Sequence, residues 1–299
     1  MSDQKKKKHH YVNAGYLRLF SMPDKTSAYS SFVWMYKKDV AIRTASRKSV
    51  RSICHREGYY AQIKNDESVD YNILEDGFSE IEDQVIKLIR SLNSDTPELK
   101  ISSENKGLLA FYIGLMFSRG PSFRDGIKQA HELIIKKLLS TYAKNNPPPF
   151  SYSGNIVDIV DIGVLEQVSL HPMINLASQV AEAILQKYWQ FQRPCDNVNF
   201  ITSDTPVVMA SSLGHVGPCH PLTEFIFPLR KDLCLVCTHR NPDVNTNNLI
   251  FTVSSEEVLK FNEAIVQAAS SEIYACENLE QISVLAAMYY GVSQRLRVD

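Results

Sequence analysis

The chain has no unbroken apolar run approaching the roughly 18 residues that cross a membrane, so no membrane-spanning helix is expected. Its first residues are charged and lack the apolar stretch of a secretory signal, which leads to the expectation of a cytoplasmic protein. Glycine is scarce and scattered, 12 in 299 residues, too few for the loops that cradle nucleotide phosphates. There is no P-loop, no dinucleotide fingerprint, no G-x-S-x-G and no H-E-x-x-H, so the common signatures for nucleotide binding, serine hydrolysis and zinc proteolysis are excluded. Of the six cysteines only Cys234 and Cys237 form a C-x-x-C. They sit in a strand-like stretch, where residues three apart point to opposite faces, so buried reduced thiols are expected there in place of a zinc site. No internal repeat is visible.

What the chain does have is charge polarity. Residues 1–60 carry 13 Lys or Arg against 4 Asp or Glu, a net +9, and the remaining 239 residues are −10. The near-zero total therefore hides a strongly polarised molecule. Within the basic end, Lys5 to Lys8 lead directly into His9 and His10. Cationic neighbours push an imidazole pKa down, and a neutral ring serves as a general base. The competing reading is a solvated tail over residues 1–8. In an extended segment only one of the two histidines can face inward.

The hydrophobic pattern predicts an α+β protein: a basic tail at 1–8, then a single domain over 9–299. Residues 9–63 read as β-rich, with Leu17 to Phe20, Ser31 to Tyr36 and Tyr59 to Ile63 as strands. Asp24 follows Pro23 in a turn, and Thr44 to Arg56 reads as a basic loop with a short helix. Residues 75–190 read as mainly helical: Glu75 to Leu92, then a helix from Ser102 or Ser103 ending at Arg119-Gly120-Pro121, then Phe123 to Tyr142. Pro147 to Pro149 break that run, and a helix from Pro172 carries an apolar face through to Tyr188. Residues 198–253 return to strands, and Ser254 with Glu257 forms a capping box for a helix over 254–275. The two β-rich ends are expected to join in one mixed or antiparallel sheet, with the helical middle packed beside it.

Several polar residues stand out against that frame. Arg119 and Arg124 flank a helix break, where guanidinium forks and the start of the next helix suit a phosphate or carboxylate clamp; pairing to local acids such as Asp125 is the plainer reading. Glu75 and Glu82 share a helix face and could handle protons or hold a divalent metal, or simply serve solubility. Asp204 lies in Ser203-Asp204-Thr205-Pro206, a stretch that turn chemistry alone explains. His215, His220 and His239, with Cys219, match no trustworthy ligand spacing.

These segments together resemble a mostly bacterial family known only as a domain of unknown function, number 4238. Its members open with His-His-Tyr-Val-Pro and then Tyr-Leu, a basic residue and Phe; here the corresponding residues are His9-His10-Tyr11-Val12-Asn13 and Tyr16-Leu17-Arg18-Leu19-Phe20. An acidic helix follows, matched by Phe78 to Glu82, then Arg-Thr-Pro with an Arg three residues after the proline, matched by Arg119, Gly120, Pro121 and Arg124. Near the end come a Trp and Phe-Ile-Thr-Ser-Asp-Asn-Pro-Val, matched by Trp189 and Phe200 to Val207. Asn13 replaces the proline, Gly120 the first threonine, and Thr205 the asparagine. The family brings no activity with it. Its polar motif positions do imply a shared pocket in which His9, His10, Arg18, Glu82, Arg119 and Asp204 converge.

The expectation drawn from this is an enzyme that cleaves a phosphodiester or nucleotide, in its most specific form a nuclease effector of bacterial conflict or phage defence. His9, His10, Glu82, Arg119 and Asp204 would carry the chemistry, with a divalent metal as an option. Tyr16, Arg18, Arg124, Lys7 and Lys8 would bind the anionic substrate, nucleic acid or nucleotide. The alternatives are a non-catalytic module for an anionic ligand, RNA or an acidic partner, and a buried polar network that serves structure alone.

Overall fold

The computed structural model describes residues 7–23, 31–41, 44–146, 163–214, 216–240, 243 and 245–293. Lys5, Lys6, Asp24, Pro147 to Pro149 and His215 lie outside the described residues. The chain opens with β1 (Lys8–His10), α1 (Ala14–Leu17), β2 (Met22–Pro23), β3 (Ser31–Lys37), β4 (Ser46–Ser49), β5 (His55–Glu57), β6 (Gln62–Ile63) and β7 (Val69–Asp70). Four helices follow: α2 (Ile73–Ser91), α3 (Ser103–Ser118), α4 (Pro121–Asn145) and α5 (Leu170–Leu185). The remainder is β8 (Tyr188–Pro194), β9 (Thr202–Ser203), β10 (Val208–Ala210), β11 (Glu224–Arg230), β12 (Leu233–Thr238), β13 (Ile250–Val253), α6 (Ser255–Ala268), β14 (Glu272–Ala275) and α7 (Glu280–Met288).

The architecture is α+β, as the pattern predicts. The larger strands divide between two five-stranded sheets. One runs β10-β11-β12-β8-β13, antiparallel except for the parallel β13–β8 pair. The other joins the two ends of the chain: β3 lies between β2 and β14, β14 also pairs β9, and β4 pairs β3. After an exposed polar first turn at Ser103 and Glu104, helix α3 is apolar around most of its circumference because it is largely enclosed; Leu109, Tyr112, Ile113 and Leu115 are fully buried. It crosses α5 at Gly114, where a methyl group would lie 2.1 Å from the Ala177 carbonyl oxygen. Only hydrogen fits that contact, so the crossing is set backbone against backbone.

Local chemistry explains where the sequence pattern and the structure differ. Leu17 to Phe20 do not form a strand: Asn13 accepts the Tyr16 N–H at 2.6 Å as an N-cap, and a helical turn passing into a 3-10 turn follows. Thr44 to Arg56 contains strands β4 and β5 and no helix, because Ser46–Ser49 finds a partner in β3 and His55–Glu57 finds one in β1. Tyr59 and Tyr60 lie in a turn, and only Gln62–Ile63 of that stretch is a strand. Tyr188 begins β8, which pairs β12 on one side and β13 on the other. The last long helix stops at Ala268, and Glu272–Ala275 is strand β14. The capping box between Ser254 and Glu257 is present, with the Ser254 N–H donating to Glu257 Oε2 at 2.8 Å. Cys234 and Cys237 are buried in β12, and burial pushes both thiols well above their ordinary range.

Candidate functional site

Strand β1 pairs antiparallel with β5, setting His9 opposite Arg56 and His10 opposite His55. The Tyr11 N–H donates to the Cys54 carbonyl at 2.9 Å and extends the pairing by one residue. Because side chains alternate, the two histidines leave the strand on opposite faces. They serve two different neighbourhoods.

His9 faces inward and is completely buried. Its Nδ1 accepts the Tyr60 N–H at 2.7 Å, and its ring stacks on Tyr60 with centroids 5.5 Å apart and planes 4° from parallel. Arg124 is equally buried. Its Nε donates to Ser169 Oγ at 2.8 Å, Nη2 to the Glu166 carbonyl at 3.0 Å and Nη1 to the Tyr59 carbonyl, while the guanidinium lies 3.9 Å over the Tyr59 ring. These donors are spent on the fold, so Arg124 is placed as a brace and not as an open clamp. Tyr16 is also internal. Its hydroxyl donates to the Pro228 carbonyl at 2.7 Å and meets Thr202 Oγ1 at 2.9 Å, linking α1 to both sheets.

His10 leaves the opposite face. It sits edge-on to His55, with centroids 5.5 Å apart. Burial pulls its pKa down to about 4, helped by His55, Arg119 and Lys8; a hydrogen bond to the Arg51 backbone only partly offsets this. Its Nε2 is buried and has no hydrogen-bond partner among the described residues. Arg119 lies behind it, fully buried, with Nη1 donating to Glu82 Oε1 at 2.5 Å and Nη2 to Met116 Sδ at 3.0 Å. Burial opposes the Arg119 charge, but Glu82, Tyr60 and Tyr112 overcome it and hold the guanidinium firmly protonated. Around this centre the surface is basic. Arg18 is held below its ordinary pKa by burial and then by its neighbours Arg51 and Arg90. Lys7 and Lys8 are exposed, with Glu57 opposite Lys8 across the strand pair.

The second neighbourhood is a polar cleft of about 310 Å³ beside the start of α4. Tyr11, Arg56, Ser122, Asp125, Asp204 and Ser270 contribute to its lining. Asp204 is placed here, away from the basic face. Its Oδ1 accepts the Ser270 N–H at 2.8 Å; its Oδ2 accepts the Ser271 N–H and Oγ–H, each at 2.8 Å, and the Glu272 N–H at 3.1 Å. Burial still raises its pKa against those donors. Beneath Tyr11, Cys54 holds a left-handed φ of 55° and sets its thiol 3.0 Å from the Tyr274 hydroxyl, which donates to Glu272 Oε2 at 2.5 Å.

The expected convergence is therefore divided. His10, Glu82 and Arg119 come together, with Arg18 linked to them through Arg51, whereas Asp204 joins Tyr11 and the residues after Arg119 on the other side. No local sequence pattern singles out His55, Arg51 or Arg56, all contributed by the strand pairing with β1 or the turn before it. Among the described residues no three His, Cys, Asp or Glu side chains gather as a metal-ligand set. No helix of the described residues is long and apolar enough to cross a membrane.

Fold and site together define an α+β protein whose N-terminal strand pair has a basic face on one side and a polar cleft on the other. The model of a family described as protein of unknown function (DUF4238) matches residues 8–278, and the chain belongs to that family. No curated protein and no solved structure matches the chain.

Proposed function

We propose that the protein binds a phosphate-bearing anion, a nucleic-acid strand or a nucleotide, on the basic face around His10 and His55. The observation that carries this reading is the gathering of three guanidinium groups, Arg18, Arg51 and Arg90, in which Arg51 and Arg90 add to the effect of burial in lowering the Arg18 pKa. Like charges cost free energy to assemble, and a polyanion that lands among them relieves that cost. Fluorescence anisotropy with single-stranded RNA, single-stranded DNA and duplex DNA across a potassium chloride series tests it. Arg18→Ala and Arg51→Ala should each reduce the log–log salt slope by about 1. Binding indifferent to salt and to both substitutions would remove the reading.

A second reading adds cleavage of a phosphodiester or nucleotide, of which a nuclease effector of bacterial conflict or phage defence is the specific form. It is supported by the state of His10, a neutral ring at physiological pH whose buried Nε2 has no hydrogen-bond partner among the described residues. A base with a pKa of about 4 is weak at neutrality. A phosphate bound beside it would favour the imidazolium and raise that value, so ligand binding would itself strengthen the base. Cleavage that disappears in His10→Gln while salt-dependent binding persists supports this reading. Cleavage equal to wild type in that variant, or none in the unsubstituted protein with and without divalent cations, leaves binding alone.

A further inference from the structure

The cleft on the other side of β1 has a different chemistry from the basic face. We infer that it is a separate binding site for a neutral, hydroxyl-rich ligand of sugar size. The argument starts from charge. Among the residues lining the cleft are one guanidinium, Arg56, and two carboxylates, Asp125 and Asp204. A phosphate or other strong anion would face a surplus of negative charge there. Asp204 cannot turn toward a cation, because its two oxygens already accept three backbone N–H groups and a serine hydroxyl. An apolar ligand would leave the hydroxyls, the amide of Gln129 and the ion pair desolvated without partners.

A ligand that both donates and accepts hydrogen bonds fits what is left. Arg56 and Asp125 face each other in a two-pronged pair, Nη1 to Oδ1 at 3.2 Å and Nη2 to Oδ2 at 3.3 Å, with each side chain about 40% exposed (42% and 41%). Each carboxylate oxygen accepts one bond in that pair and has lone-pair capacity for another, which suits two adjacent hydroxyl groups. Across the cleft, Ser122 Oγ and Ser270 Oγ are 2.9 Å apart. That contact consumes one O–H and leaves the other donor and several lone pairs available. Tyr11 adds an aromatic ring to the wall, its own hydroxyl being engaged with the Cys54 thiol. The volume of about 310 Å³ lies at the lower end of small-ligand pockets, on the scale of one ring.

The test is saturation-transfer NMR on the whole protein with D-ribose and D-glucose, and with glycine and inorganic phosphate as separate probes. At least one sugar should show saturation transfer, with a dissociation constant on the order of 1 mM. Asp125→Asn should weaken it about tenfold, equivalent to 1.4 kcal/mol, because the fork that orients Arg56 is halved. Ser122→Leu should abolish the signal by filling the cleft. Both positions are at least partly exposed, and unchanged circular dichroism spectra would show that the variants fold. Arg18→Ala should leave the sugar signal intact, which separates this site from the basic face. No transfer to either sugar, transfer unaffected by Asp125→Asn and Ser122→Leu, or preferential binding of phosphate or glycine would each overturn the inference.

Discussion

Arg119 and Glu82, 37 residues apart in the chain, form a 2.5 Å ion pair in which the guanidinium is wholly buried and the carboxylate nearly so. Removing one member of such a pair strands a charge out of water. Arg119→Ala should therefore lower the unfolding free energy by about 3–5 kcal/mol in a urea titration. The double variant Arg119→Met, Glu82→Leu should recover most of that loss, since apolar groups of similar volume need no partner. A loss below about 1 kcal/mol in the single variant would show that the pair is not a structural element.

Acid should find His10. Its pKa of about 4 in the folded protein lies below the ordinary 6.5, so the unfolded chain takes up the proton first as pH falls. This contribution to stability is complete above about pH 6.5 and is lost progressively down to about pH 4, below which it stays constant. The shift corresponds to at most about 3–4 kcal/mol. Stability profiles of wild type and His10→Gln should diverge over that window and run parallel outside it; profiles parallel throughout would refute the assignment.

Asp204 holds the backbone at Ser270, Ser271 and Glu272 from 66 to 68 residues away. In Asp204→Ala three partly buried N–H groups lose their acceptor, and the expected cost is about 2–4 kcal/mol by chemical denaturation. Hydrogen exchange at Ser270 and Ser271 should accelerate in the same variant. Unchanged protection there would mean that the carboxylate does not hold the turn.

Gly114→Ala is the sharpest test of the helix crossing. The added methyl would meet the Ala177 carbonyl oxygen at 2.1 Å, and a backbone atom has no rotamer with which to retreat. The substitution should cost about 3 kcal/mol or more despite the better helix propensity of alanine. A neutral or stabilising effect would show that α3 and α5 do not approach as closely as described.

Much of the architecture was legible because it depends on short-range signals. The Ser254–Glu257 box, the Ser102 cap and the break at Gly120-Pro121 mark helix ends by local chemistry. The alternation of β1 sends His9 and His10 to opposite faces, as an extended segment requires. What could not be read depends on distant partners. The helical period of α5 runs on through Tyr188 in the sequence, yet that residue pairs with Thr238 in a sheet. His55 joins His10 through strand register, which no local pattern records. Ser203-Asp204-Thr205-Pro206 looks like a turn, and nothing nearby announces that its carboxylate serves a loop near the far end of the chain. Arg119 and Arg124 stand out as a pair in the sequence, but burial assigns them to the interior, and burial is a property of the folded whole.

Strand β3 pairs Tyr36 with Ile273. A chain leaving the ribosome carries that early strand through more than two hundred further residues before its neighbour is made. Until then one flank of β3 has no permanent mate, and contacts of such long sequence separation close slowly. Synthesis of this protein should accordingly lean on chaperones more heavily than its size suggests, and chains stalled short of β14 should be the ones that aggregate.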